Sequence, residues 1–160
     1  MNGQIPQPPA NGESTTPQSA EPRAAVPFSS GSSLRHPIPT ALVTGASASA
    51  REAAIAHALA SGHSPATPRD ALAAVILEGL PDGHLLLEAS DKLLISRIAP
   101  GCLCCAGNLV MRVTLNRLLR QRPTRLFIGV ASTAHLDQLR SWLSSAPYDQ
   151  LLALTPELGT

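Results

Sequence analysis

Leu72 to Leu77 reads Leu-Ala-Ala-Val-Ile-Leu, an unbroken apolar run with no polar face. A strand with one wet face alternates apolar and polar residues, so a run like this needs cover on both sides. It is far too short for a membrane span, which takes about 20 apolar residues. Arg125 to Ala131 is a second run of the same kind, and a segment of helical period, about 107–121, precedes it. Buried strands alternating with helices point to an α/β fold with a mostly parallel sheet.

The remaining elements fit that frame. Ile38 to Thr44 reads as a short strand closed by Gly45. Ala50 to Ser61 reads as a helix with Ala54, Ile55, Ala58 and Leu59 on its apolar stripe and Gly62 as its stop. Pro81-Asp82-Gly83 marks a turn. Leu85 to Leu87 and Leu93 to Ile98 are two further expected strands. A helix is expected over 107–121, with Met111, Leu115 and Leu118 at spacings of four and three on its buried face and Pro123 closing it. Another is expected from Ala134 to Ser144, with Leu136, Leu139 and Leu143 inward and Ser132 or Thr133 as N-cap. Leu151 to Leu154 is the last expected strand, and no internal repeat is present.

Residues 1–37 differ in composition. They carry nearly half of the 15 prolines, with much Ser, Gly, Gln and Asn and few large apolar side chains. Such a segment cannot repay the entropy of ordering, so a disordered, solubilising tail is expected. One domain is expected over 38–160, enough for a modest core. The first residues hold no apolar stretch of secretory type, which points to a reducing, cytoplasmic setting.

Formal net charge is +1, which advertises neither a nucleic-acid nor a membrane partner. The charge is uneven, because Lys92, Arg97, Arg112, Arg117, Arg120, Arg122 and Arg125 fall in a stretch with no acidic residue up to Leu136. Much of this matches the preference for cations near a helix C-terminus. Single-stranded nucleic acid is gripped by stacking aromatics, and one Trp, one Tyr and two Phe argue against that partner.

All three cysteines fall in one tetrapeptide, Cys102-Leu103-Cys104-Cys105, after Pro100-Gly101 and before a helix. Packing does not require such clustering. Clustered thiols supply soft ligands for Zn²⁺ or another transition metal such as Cu(I), and a helix N-terminus favours the thiolate. Redox chemistry and a purely structural role are the competing readings. Adjacent cysteines bridge only with strain, and an odd count leaves one thiol over. A tetrahedral metal would need a fourth ligand. His135 is the nearest candidate, ahead of His57, His63 and His84, while His36 lies in the tail.

Pro100-Gly101-Cys102-Leu103-Cys104-Cys105, followed by a helix, an apolar strand and a Ser-containing helix start, resembles the nucleotide-binding half of the CobW-like GTPases, relatives of metallochaperones. That family carries G-C-x-C-C between its phosphate loop and its second acidic motif. The resemblance spans about residues 39–155. It implies a three-layer sheet of P-loop NTPase-like topology, GTP with Mg²⁺, a transition metal held by Cys102, Cys104 and Cys105, and a metalloprotein client.

The sequence departs from that pattern at named positions. A phosphate loop reads G-x-x-x-x-G-K-[ST], with amides cradling phosphates, Lys on the β/γ-phosphates and a hydroxyl on Mg²⁺. Here the register gives Gly45-Ala46-Ser47-Ala48-Ser49-Ala50-Arg51-Glu52. Gly45 and Arg51 are left as the candidate nucleotide contacts, and Glu52 replaces the hydroxyl. Ser49-Ala50-Arg51-Glu52 also fits a capping box, S-x-x-E, in which Ser49 and Glu52 would satisfy each other's amides. The second acidic motif, E-x-x-G, falls on Gly129-Val130-Ala131-Ser132 and lacks its carboxylate. Glu78 resembles the glutamate of the family's N-E-F-G segment; a solvated strand-end carboxylate and a ligand are its two readings.

The expectation is therefore a degenerate, truncated CobW-like domain that binds metal, zinc first, and has lost nucleotide hydrolysis. An active GTPase with an unusual loop is one alternative. A non-enzymatic interaction module keeping only the fold is another.

Overall fold

The structure is a computed structural model, and it describes residues 36–62, 71–81, 83, 85–101 and 109–159. Residues 1–35 of the expected tail, and the cysteines themselves, lie outside the described residues.

Nine helices and strands follow one another in those segments. They are β1 (Ile38–Thr44), α1 (Ala48–Ser61), β2 (Ala73–Glu78), β3 (Leu93–Ile98), α2 (Leu109–Arg120), β4 (Arg125–Val130), α3 (Leu136–Leu143), β5 (Leu152–Leu154) and β6 (Leu158–Gly159). The sheet runs β3-β2-β4-β1-β5, with β6 also on β1. Every strand pairing is parallel. Register places Leu42 opposite Ile128 and Ile76 opposite both Ile128 and Ser96. The sheet is thus the α/β architecture that the two apolar runs demand.

Successive strand residues face opposite ways, which divides the core in two. Leu42, Ala74, Ile76, Leu126 and Ile128 meet Met111, Leu115 and Leu118 of α2 and Leu139 and Leu143 of α3. On the other face Ala41, Val43, Val75, Leu77 and Phe127 meet Ile55 of α1 and Leu87. The middle layer is therefore covered twice, as expected for three layers. β2 is buried along its whole length, at roughly 1.5–3 kcal/mol for each large side chain removed from water.

β5 and β6 act as one interrupted strand along β1. The first pairs with Ile38–Thr40 and the second with Val43–Thr44. Between them Thr155 N–H donates to the Thr40 carbonyl at 2.9 Å, and Pro156 has no N–H to continue the ladder. Two-residue β6 is too short to leave an apolar pattern, so the sequence gives no sign of it.

Two expectations need correction. Leu85–Leu87 is not a strand. The Leu86 amide donates to Glu52 Oε2 at 3.2 Å instead of to a neighbouring strand. Leu87 packs under the sheet, while Leu85 and Leu86 stay exposed. The capping box at Ser49 and Glu52 is also absent. The α1 helix starts two residues earlier, capped by Ser47, whose hydroxyl accepts from the Ala50 amide at 3.0 Å. Glu52 then lies beyond the first turn, on the buried face with Arg51 and Ile55, too far along to reach back to the cap.

α3 needs a smaller adjustment. A 3₁₀ turn, Thr133–His135, leads into it, and Ser132 caps that turn by accepting from the Ala134 amide at 3.3 Å. Tyr148 closes this end of the core: it is buried, donates its hydroxyl to Asn116 Oδ1 at 3.1 Å, and meets the Trp142 ring edge-on at 4.8 Å between centroids.

Candidate functional site

In a parallel sheet all strands leave at the same edge, and ligands of open α/β sheets bind there. At this edge β1 ends at Thr44, β2 at Glu78, β3 at Ile98 and β4 at Val130. Side chains tie these exits together. Arg51, from the second turn of α1, is only 4% exposed. It donates from Nη1 to the Gly45 carbonyl and from Nη2 to the Glu78 carbonyl, both at 3.0 Å. Its Nε is buried without a hydrogen-bond partner.

Glu78 is the junction. Its carboxylate is buried, with Oε1 accepting from the Gly101 amide at 2.6 Å and Oε2 from the Ala131 amide at 2.8 Å. The chain turns sharply on either side of this carboxylate. Gly79 has φ +101° and Gly101 φ +81°, a left-handed backbone that glycine adopts freely and other residues rarely do. Gly79 also donates its amide to the Ile98 carbonyl at 2.9 Å. The solvated reading of Glu78 gives way: the carboxylate is buried, and one amide donates to each of its oxygens.

Glu52 points elsewhere. Its side chain has no exposure, and Oε1 takes Arg97 Nη1 at 2.8 Å. Buried charge is tolerated only when paired in this way. A third carboxylate, Glu157, accepts from the Thr44 hydroxyl at 2.7 Å and from Arg140 Nη2 at 3.0 Å. It fixes the β5–β6 break to the end of β1 and to α3.

The described chain reaches Gly101 and resumes at Leu109. The structure therefore brings Gly45, Arg51 and Glu78 together and delivers Gly101, the residue before Cys102, onto Glu78. Among the described residues, no group of three or more His, Cys, Asp or Glu is placed to hold a metal ion. His36, His57 and His135 are exposed, and His63 and His84 lie outside the described residues. Also among the described residues, no helix is long and apolar enough to cross a membrane.

Sequence reasoning missed the Glu78 junction. A signal for it exists: a carboxylate closing a strand buried on both faces must find partners, and a following glycine lets the chain turn around it. The Arg97–Glu52 pair left no such signal, because its partners are 45 residues apart and no motif links them.

No family model matches the chain, and no solved structure matches it. One curated relative does. The chain is 34% identical over 124 residues to the zinc chaperone YeiR of Escherichia coli strain K12, a CobW-family protein. The match takes in 74% of this chain.

The chain belongs to the CobW-like family.

The chain spans 36% of the length of YeiR. Against the CobW-like phosphate loop, two of its positions have changed partners. The residue in the lysine register, Arg51, spends both terminal nitrogens on protein carbonyls. The residue in the hydroxyl register, Glu52, is sealed under Arg97. Against the CobW-like second acidic motif, Gly129 stands where the carboxylate belongs, and the amide of Ala131, two residues on, is used by Glu78.

Proposed function

We propose that this chain binds zinc as cargo through Cys102, Cys104 and Cys105 and serves metal homeostasis, passing the ion to a metalloprotein client. The observation that carries the reading is its relation to a zinc chaperone over most of its length. The gathering of every thiol of the chain in one tetrapeptide supports the residue assignment. The clamp on Gly101 supports the place, since it brings the chain to the ligand-binding edge of the sheet immediately before Cys102.

The chemistry follows from the donor set. Three thiols bind Zn²⁺ as thiolates, so uptake releases protons and strengthens as pH rises. Three ligands leave one tetrahedral position open. A donor from a client can enter that position and take over the ion by ligand exchange, without any change in redox state.

Nucleotide hydrolysis has no part in this proposal. A Mg²⁺-bound triphosphate needs a free cationic head, a hydroxyl for the metal and positioned charge around the phosphates. Arg51 is occupied by two carbonyls, and Glu52 would set a carboxylate where the hydroxyl belongs. The residues present do not fit that ligand, so no phosphoryl-transfer step is derived.

The test is zinc content after purification under reducing conditions. One equivalent in the wild type and none in the Cys102→Ser/Cys104→Ser/Cys105→Ser variant supports the proposal. Equal zinc in the two proteins overturns it.

A further inference from the structure

Glu78 does more than close a strand. Its two carboxylate oxygens reach two loops that leave different strands, Gly101 after β3 and Ala131 after β4. Its own carbonyl holds Arg51, which also holds Gly45 after β1. One residue thus fixes the relative positions of all four strand exits at the ligand-binding edge. The shorter of its two carboxylate bonds, at 2.6 Å, goes to the residue that leads into Cys102.

We infer that Glu78 is a positioning residue for zinc: through the Gly101 amide it sets the point at which the chain enters Cys102-Leu103-Cys104-Cys105. The inference rests on the zinc reading above and adds to it a residue outside the cysteine motif. Metal sites are commonly tuned by such outer hydrogen bonds, and loss of one lowers metal affinity about 10- to 100-fold.

Glu78→Gln isolates the effect. The side chain keeps its shape but offers one carbonyl oxygen and one NH₂ group. It cannot accept from both amides, so one N–H faces another donor. Glu78→Asp is the second variant; it keeps the charge but is one methylene too short to span both amides. Glu52→Gln is the control, since it weakens a different buried carboxylate held by Arg97 and the Leu86 amide.

Three measurements follow on the full chain. Amide hydrogen exchange in the metal-free protein should quicken about tenfold or more at Gly101, Ala131 or both in the Glu78 variants. Competition with a chromogenic chelator should show zinc affinity lowered about tenfold. Cobalt substituted for zinc should give an altered visible spectrum. Glu52→Gln should lose stability while keeping wild-type zinc affinity and the wild-type cobalt spectrum.

Wild-type exchange and wild-type affinity in both Glu78 variants would overturn the inference. So would an equal loss of affinity in Glu52→Gln, which would reduce Glu78 to a general contributor to stability. Unchanged zinc binding by the triple Cys→Ser variant is a separate outcome. It removes the zinc reading and this role with it, while the exchange rates still decide whether Glu78 holds Gly101.

Discussion

Arg51 and Glu52 are adjacent in sequence and serve different parts of the fold. Arg51 binds two carbonyls at the strand exits, and Glu52 pairs with Arg97 on β3. The sequence shows that both depart from a phosphate loop. It does not show where they go, because a guanidinium on a long stem can reach many acceptors. The Arg97–Glu52 pair has the clearest energetic consequence. Glu52 is fully buried and Arg97 keeps 21% exposure. Removing the arginine strands a buried carboxylate, so Arg97→Ala should cost about 3 kcal/mol by urea denaturation. Glu52→Gln/Arg97→Ala together should cost less than the sum of the two single changes. Additive losses would show that the pair contributes no coupling.

At the scale of elements, legibility followed periodicity. The α2 helix was readable because Met111, Leu115 and Leu118 recur on one face, and all are buried. β2 was readable because a run buried on both faces has one structural solution. Leu85–Leu87 misled because an apolar triplet lacks a period, and a side-chain carboxylate claimed its amide. The start of α1 misled because two serines compete for the cap, and Ser47 wins with a bond to Ala50. The end of α2 holds one local misfit. Arg122 has φ +56°, a conformation glycine adopts without penalty. Arg122→Gly should therefore stabilise the protein by about 0.5–1 kcal/mol, read as a raised urea midpoint at unchanged slope. An unchanged or lowered midpoint would contradict the assignment of strain there.

For the whole molecule, the fold class was legible and the strand order was not. Parallel strands joined by helices follow from composition and period. The placing of β4 between β1 and β2 depends on contacts distant in sequence. That placement makes the site, because it sets Ala131 beside Glu78 and, through Arg51, beside Gly45. A CobW-like sheet here has its exits fastened by its own side chains. Arg51, in the lysine register, is an internal tie between Gly45 and Glu78, and the proposed zinc chemistry rests on the thiols. The most direct measurement is a competitive zinc titration of the full chain, with and without saturating GTP and Mg²⁺. The expected result is one tight zinc equivalent that depends on Cys102, Cys104 and Cys105 and is unmoved by nucleotide. Zinc affinity that shifts with GTP, or that survives loss of all three thiols, would contradict it.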